Sequence, residues 1–302
     1  MKIDITRFET CHADHCCTSL ASTEMMILNG DDGEHCVVHD FGGAGPPVLL
    51  THGNGLNAGM WATVVPFLRS HRRCFGLDFR GHGASRVITP PLDVDRSRLV
   101  DEVLNAVAAI GEGAIDAVGH SLGGATLLRT ELENPQTFRK LWLFEPVMVP
   151  EGHLRPDGDH PLVLAARRRR SEFASLDEFI ERLVSKPPYS QCEESAVRAY
   201  AELGSQPTTE GIALTCSGET EAEIFSSGTP TDFSTLESVR SPVVVARGQA
   251  VAAGNELPPA MAEPIASHLG NGQLLTMEGL THFGPMEDGE RVAQAVLAHL
   301  VQ

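Results

Sequence analysis

Between residues 113 and 134 the chain reads GAIDAVGHSLGGATLLRTELEN, and Pro135 follows. The first part is a short apolar run with the character of a buried strand, and the second is a helix that the proline stops. Passing from strand to helix within so few residues forces Ser121 into a crowded backbone conformation, and side chains on either flank would collide. Gly119 and Gly123 stand at those flanks. The motif is G-x-S-x-G, and its strand and helix neighbours make the match specific. Such a turn lifts the Ser121 hydroxyl above the end of a sheet. It also puts the amide of Leu122 at a helix N-terminus, aimed at any anion that forms beside the serine.

The same rhythm runs through most of the chain. EMMILNG (24–30) and HCVVHDFGG (35–43) form a paired hairpin, PPVLLTHG (46–53) a short strand ending in a glycine loop, and RRCFGLDF (72–79) another strand. Residues 95–111 carry Leu99, Val103, Leu104, Val107 and Ile110 on one helical stripe, closed by Gly111. After the serine motif come FRKLWLFE (138–145), SPVVVARG (241–248), a helix in 256–270, GQLLTMEGL (272–280) and a last helix in 286–301. Strands alternating with helices predict an α/β fold with a mainly parallel sheet covered on both faces. The rhythm breaks between 147 and 238. There SLDEFIERLVSK (175–186) opens with a capping box from Ser175 to Glu178, and EESAVRAYAELG (193–204) makes a second helix. The expected organisation is an N-terminal arm (1–21), a core built from 22–146 and 239–302, and a helical cap (147–238).

Charge and cysteine usage narrow the partners. The net charge is −17, and Lys2, Lys140 and Lys186 are the only lysines. Such a surface repels phosphate backbones and anionic lipid, which argues against nucleic acid and membrane partners. No apolar stretch reaches the roughly 18 to 20 residues of a membrane span. The N-terminal segment lacks the apolar region of a secretory signal, and a cytoplasmic location is expected. The seven cysteines are odd in number and scattered, as free thiols are. Cys11, His12, His15, Cys16 and Cys17 crowd the N-terminal arm, but no second ligand knuckle follows, and neither a metal nor another cofactor is expected.

Three further motifs occur in order: THGNGLNAGMW (51–61), LDFRGHGAS (77–85) and GLTHFGP (279–285). With the serine motif, they make the chain similar to serine hydrolases of the α/β-hydrolase fold from about residue 22 onward. The pattern HGxGLNAxxW resembles that of bacterial carboxylesterases of the pimeloyl-ester type. The resemblance implies a mainly parallel eight-stranded sheet with helices on both faces and a helical cap insertion. It also implies Ser121 as nucleophile, His282 as the base, and the amides of Asn54 and Leu122 as oxyanion donors. LDFRGHGAS corresponds to a structural turn of the family. The usual place for the third catalytic member is an aspartate after SPVVVARG, yet residues 249–255 read QAVAAGN, with no carboxylate. Glu256 comes next, where the following helix should begin. Glu145 is the preferred candidate: it ends the apolar strand after the serine's helix, 24 residues past Ser121, where some haloalkane dehalogenases and lactonases of this fold place their acid.

Serine is a weak nucleophile until an imidazole takes its proton, and the imidazole needs a carboxylate to orient it. The expected activity is therefore hydrolysis of a small-molecule carboxylic ester or lactone through an acyl-enzyme, without a cofactor. A cofactor-free C–C hydrolase or lyase acting on a carboxylate-bearing substrate is the first alternative. It draws on RRRR (167–170) in the cap, of which one or two arginines at most can face a pocket. A non-catalytic ligand-binding homologue is the second. Dehalogenation is disfavoured, because it needs a carboxylate nucleophile where Ser121 stands.

Overall fold

The computed structural model describes residues 4–9, 24–85, 93–111, 113–152, 158–228, 230–249 and 256–301. The strands are β1 (Asp4–Glu9), β2 (Glu24–Asn29), β3 (His35–Asp40), β4 (Pro47–Thr51), β5 (Arg73–Asp78), β6 (Ile115–His120), β7 (Phe138–Phe144), β8 (Glu172–Phe173), β9 (Ser205–Pro207), β10 (Ile212–Leu214), β11 (Val243–Gly248) and β12 (Gly272–Met277). The helices are α1 (Val65–Leu68), α2 (Arg96–Ile110), α3 (Leu122–Glu133), α4 (Pro161–Arg167), α5 (Leu176–Val184), α6 (Glu194–Leu203), α7 (Gly218–Ser226), α8 (Leu257–His268), α9 (Gly284–Glu287) and α10 (Gly289–Leu300).

Among the described residues the main sheet has nine strands in the order β1-β2-β3-β5-β4-β6-β7-β11-β12. The first three junctions are antiparallel and the rest parallel. The sequence predicts eight strands. The ninth is β1, inside the segment expected to be an arm; it pairs with β2 through Ile5 opposite Leu28. The rest of that segment, with its Cys/His cluster, lies outside the described residues.

Parallel strands buried on both faces need apolar side chains at successive positions, and β6 is buried throughout. Val118, Trp142 and Phe144 face one core with Val65, Leu68, Val292 and Val296. Ala117, Leu141 and Leu143 face the other with Leu99, Val103, Leu127 and Ile265. Helices therefore cover both faces, and the C-terminal ends of the parallel strands open on one edge. The chain reverses its direction of sheet growth between β4 and β6, and ligands of open α/β sheets bind at such a point.

Among the described residues, the segment between β7 and β11 carries the helices α4, α5, α6 and α7. Ser175 caps α5 by accepting from the Glu178 amide at 3.1 Å. The segment also holds a small antiparallel sheet, β8-β10-β9, whose strands of two or three residues are too short for periodicity to reveal. Its α6 packs on the core through small residues: Ala196, Val197, Ala199 and Ala201 are buried. The approach is close, since a Cβ on Gly59 would lie 2.5 Å from the Ala199 carbonyl oxygen.

Candidate active site

Ser121 sits between β6 and α3 with φ 51° and ψ −113°. Among the described residues only Ser121, Gln136 and Glu145 are non-glycine residues with positive φ, and two of these three are predicted site residues. Each such conformation costs on the order of 1–3 kcal/mol and persists only when its surroundings impose it. Here the surroundings do. The Ser121 amide donates to the Phe144 carbonyl at 3.0 Å, and the Gly123 amide donates to the His52 carbonyl at 3.0 Å. A Cβ on Gly119 would meet Gly124 Cα at 2.6 Å, and one on Gly123 would meet the His52 carbonyl oxygen at 2.7 Å. The flanking glycines are thus dictated by contact with backbone that cannot yield.

Leu122 is the first residue of α3, so its amide has no partner within the helix. Asn54 lies in the loop after β4. That loop passes alongside the serine, because a Cβ on Gly53 would sit 3.3 Å from Ser121 Cβ. Two buried histidines hold it from beneath. His52 Nδ1 donates to the Gly53 carbonyl at 2.8 Å while its Nε2 accepts from the Phe79 amide at 3.0 Å. His82 Nε2 accepts from the Gly55 amide at 3.1 Å. Burial lowers the His52 pKa and takes that of His82 to about 3, so both are neutral and can accept. Asp78, fully buried, braces the same region by accepting from His39 Nε2 and from the amides of Ala58 and Ala84. The turn 78–85 has the structural part that the sequence implies.

The opposite wall is the pair His282 and Glu145. Glu145 follows β7 directly and is fully buried. His282 Nδ1 lies 2.6 Å from Glu145 Oε2. The other carboxylate oxygen, Oε1, accepts from the Gly248 amide at 2.8 Å. The alternative acid, Glu256, is exposed at the start of α8. The His282 loop is also held by His120, whose Nε2 donates to the His282 carbonyl at 2.8 Å and whose ring centroid is 4.6 Å from that of His282. Sequence reasoning leaves His120 without a role, since the motif allows any residue there.

Burial pushes both members of the pair toward their uncharged forms. It raises the Glu145 carboxyl to about 7, against the opposing Gly248 amide. It lowers the His282 imidazole to about 3. Between those values the pair holds one extra shared proton, and in either arrangement of it Nε2 carries a hydrogen. Once that proton leaves, Glu145 is ionised, Nδ1–H donates to it, and Nε2 is a free base.

The run 167–170 is mostly engaged with carboxylates. Arg167 pairs with Glu219, Arg170 with Glu178 and Arg169 with Glu221 at 3.0, 2.7 and 2.7 Å, while Arg168 is exposed. Only Arg169 turns inward. Among the described residues no group of three or more His, Cys, Asp or Glu is arranged to hold a metal ion. No helix there is long and apolar enough to cross a membrane.

A strained serine at a strand-to-helix turn, on a sheet of this order, defines a class of protein. The chain belongs to the alpha/beta hydrolase family, whose model matches residues 48–295. It is 35% identical over 190 residues to protein phosphatase methylesterase 1 of Homo sapiens, a match covering 58% of this chain and 48% of that one. It is 27% identical over 179 residues to serine hydrolase-like protein 2 of Homo sapiens, covering 56% of each. The chain thus spans about half the length of these curated relatives. Among solved structures, E-2-(acetamidomethylene)succinate hydrolase is similar with a TM-score of 0.75 and 20% identity, over 92% of this chain and all of that one.

Proposed function

We propose that the protein is a serine hydrolase that cleaves a small carboxylic ester or lactone through an acyl-enzyme. The observation that carries this reading is the Glu145–His282 hydrogen bond at the sheet edge where Ser121 is held in its strained turn. Ser121 Oγ attacks the carbonyl carbon while His282 Nε2 takes its proton. Negative charge collects on the carbonyl oxygen, where the amides of Asn54 and Leu122 donate to it. The bond to the leaving oxygen breaks as the imidazolium returns the proton to that oxygen. Water then follows the same route: His282 takes its proton, its oxygen joins the acyl carbon, and the acid and the free serine are released. Glu145 holds the tautomer and stabilises the imidazolium. Residues 147–238 act as a cap over the site. Cys36, Cys74, Cys192 and Cys216 are free thiols, which supports a cytoplasmic location.

The reading that invokes a carboxylate-bearing substrate and C–C cleavage draws on the cap arginines, and three of the four are already paired with Glu219, Glu221 and Glu178. Esters and lactones are therefore preferred. The test is a panel of chromogenic esters of increasing acyl length with lactones alongside, together with fluorophosphonate labelling. Turnover of some members is expected. Ser121→Ala should abolish both turnover and labelling while changing stability by less than about 1 kcal/mol, as one small hydroxyl is lost at a strained turn. Labelling that persists on another serine, or no labelling of the unsubstituted protein, would overturn the assignment.

A further inference from the structure

The loop that carries Asn54 is held on its outer side by hydrogen bonds to the segment between β7 and β11. Tyr200, on α6, donates from its hydroxyl to the Gly55 carbonyl at 3.1 Å. The same hydroxyl accepts from Arg169 Nη2 at 2.7 Å, and Arg169 Nη1 donates to Glu221 Oε2 at 2.7 Å. Glu221, on α7, closes the circuit in two ways. Its main-chain carbonyl accepts from Asn54 Nδ2 at 2.9 Å. Its carboxylate lies against the next residue, so a Cβ on Gly55 would fall 2.7 Å from Oε1. From the core side the Gly55 amide is fixed by His82 Nε2, and one residue pair further on Asn57 Nδ2 donates to the Tyr200 carbonyl at 2.9 Å. Gly55 is thus held at both its amide and its carbonyl and Asn54 at its side-chain NH₂, while Asn54 Oδ1 is buried without a hydrogen-bond partner; three of the ties, from Tyr200 to Gly55, from Asn54 to Glu221 and from Asn57 to Tyr200, run to α6 and α7.

Arg169 is the hub of this arrangement. It is partly buried, and its guanidinium fork spans Tyr200 and Glu221. An amide donor stabilises an oxyanion only when it is already aimed at the place where charge develops, and a misplacement of about 1 Å costs on the order of a hundredfold in rate. We propose that Tyr200, Arg169 and Glu221 are positioning residues that aim the Asn54 amide at the oxyanion. They do this by clamping Gly55 and the Asn54 side chain from the cap side. The proposal rests on the serine hydrolase reading above. The cap then does more than cover the pocket: it completes the catalytic geometry of the core.

Tyr200→Phe removes the hydroxyl and keeps the ring, which stacks on Tyr189 with centroids 5.6 Å apart. For the best ester of the panel, kcat should fall about tenfold to thirtyfold with KM within about twofold, because the interaction lost matters only once charge has formed. Inhibition by a trifluoromethyl ketone, which forms a tetrahedral adduct on the serine, should weaken in parallel. Arg169→Lys keeps the charge beside Glu221 but loses the planar fork, and it should give a smaller loss of the same kind. The pH dependence of kcat/KM should remain that of the unsubstituted protein, since the His282–Glu145 pair is untouched. A Tyr200→Phe protein with unchanged kcat and unchanged ketone inhibition would overturn the proposal while leaving the hydrolase reading intact. A raised KM at constant kcat would also overturn it, making Tyr200 a substrate contact. Absence of labelling and turnover in the unsubstituted protein would instead overturn the reading on which it rests.

Discussion

Glu145→Gln preserves the shape of the carboxylate and removes its ability to accept twice. The two oxygens face two donors: Oε2 faces His282 Nδ1 at 2.6 Å and Oε1 faces the Gly248 amide at 2.8 Å. A glutamine has one oxygen for both. The backbone donor cannot change its character, whereas the imidazole can change tautomer. The amide oxygen therefore turns to Gly248, its NH₂ turns to Nδ1, and the hydrogen of the imidazole moves to Nε2. In that state His282 cannot take the proton of Ser121. The expected loss in kcat is roughly 10³ to 10⁴, or about 4 to 5.5 kcal/mol of transition-state stabilisation, with KM little changed. Folding stability should move by no more than about 1 kcal/mol, because one buried hydrogen-bonded neutral group replaces a carboxyl whose charge burial already penalises. The assay is steady-state hydrolysis of the best chromogenic ester, with thermal unfolding beside it. Glu256→Gln is the control: an exposed charge at the start of α8 should leave kcat within about threefold. A Glu145→Gln enzyme within threefold of the parent, or a collapse caused by Glu256→Gln, would refute the assignment.

The rate should depend on pH through the same pair: kcat/KM should be level in mild alkali and fall about tenfold per unit once the pH drops below about 7, where the buried pair gains its proton. The sign follows from the need for a deprotonated Nε2, and a flat profile from about pH 5 to 8 would contradict it. Gly53→Ala should lower kcat at least about tenfold and stability by about 1–3 kcal/mol. Its Cβ would lie 2.6 Å from His120 Nδ1, the ring that holds the His282 carbonyl, and kinetics and unfolding of this variant equal to the parent's would show that the contact relaxes freely.

What can be read from the sequence is set by how local the physical demand is. Ser121 is visible because the strand, the turn and the helix that constrain it are consecutive, and Gly119 and Gly123 mark backbone approaches of 2.6 and 2.7 Å that admit no side chain. Glu145 is visible by subtraction: residues 249–255 offer no carboxylate, and an acid at the end of an apolar strand needs a partner. The edge strand β1 is hidden because its pairing with β2 lies across a segment that carries no strand signal. The clamp on Asn54 is hidden for a stronger reason. Tyr200 reaches Gly55 across 145 residues and the Glu221 carbonyl reaches Asn54 across 167, and no spacing or periodicity encodes either contact. The four arginines show the limit most directly. Helical spacing predicts that at most one or two can turn inward, yet only Arg167 belongs to α4 and the other three follow its end, so which one turns inward is decided by where Glu219, Glu221 and Glu178 fall in space. Atoms that react can be found from motifs, because their neighbours in sequence enforce their geometry. Residues that aim those atoms from another layer of the fold leave no such mark, so Tyr200, Arg169 and Glu221 carry no motif of their own and become visible only through the hydrogen bonds they make.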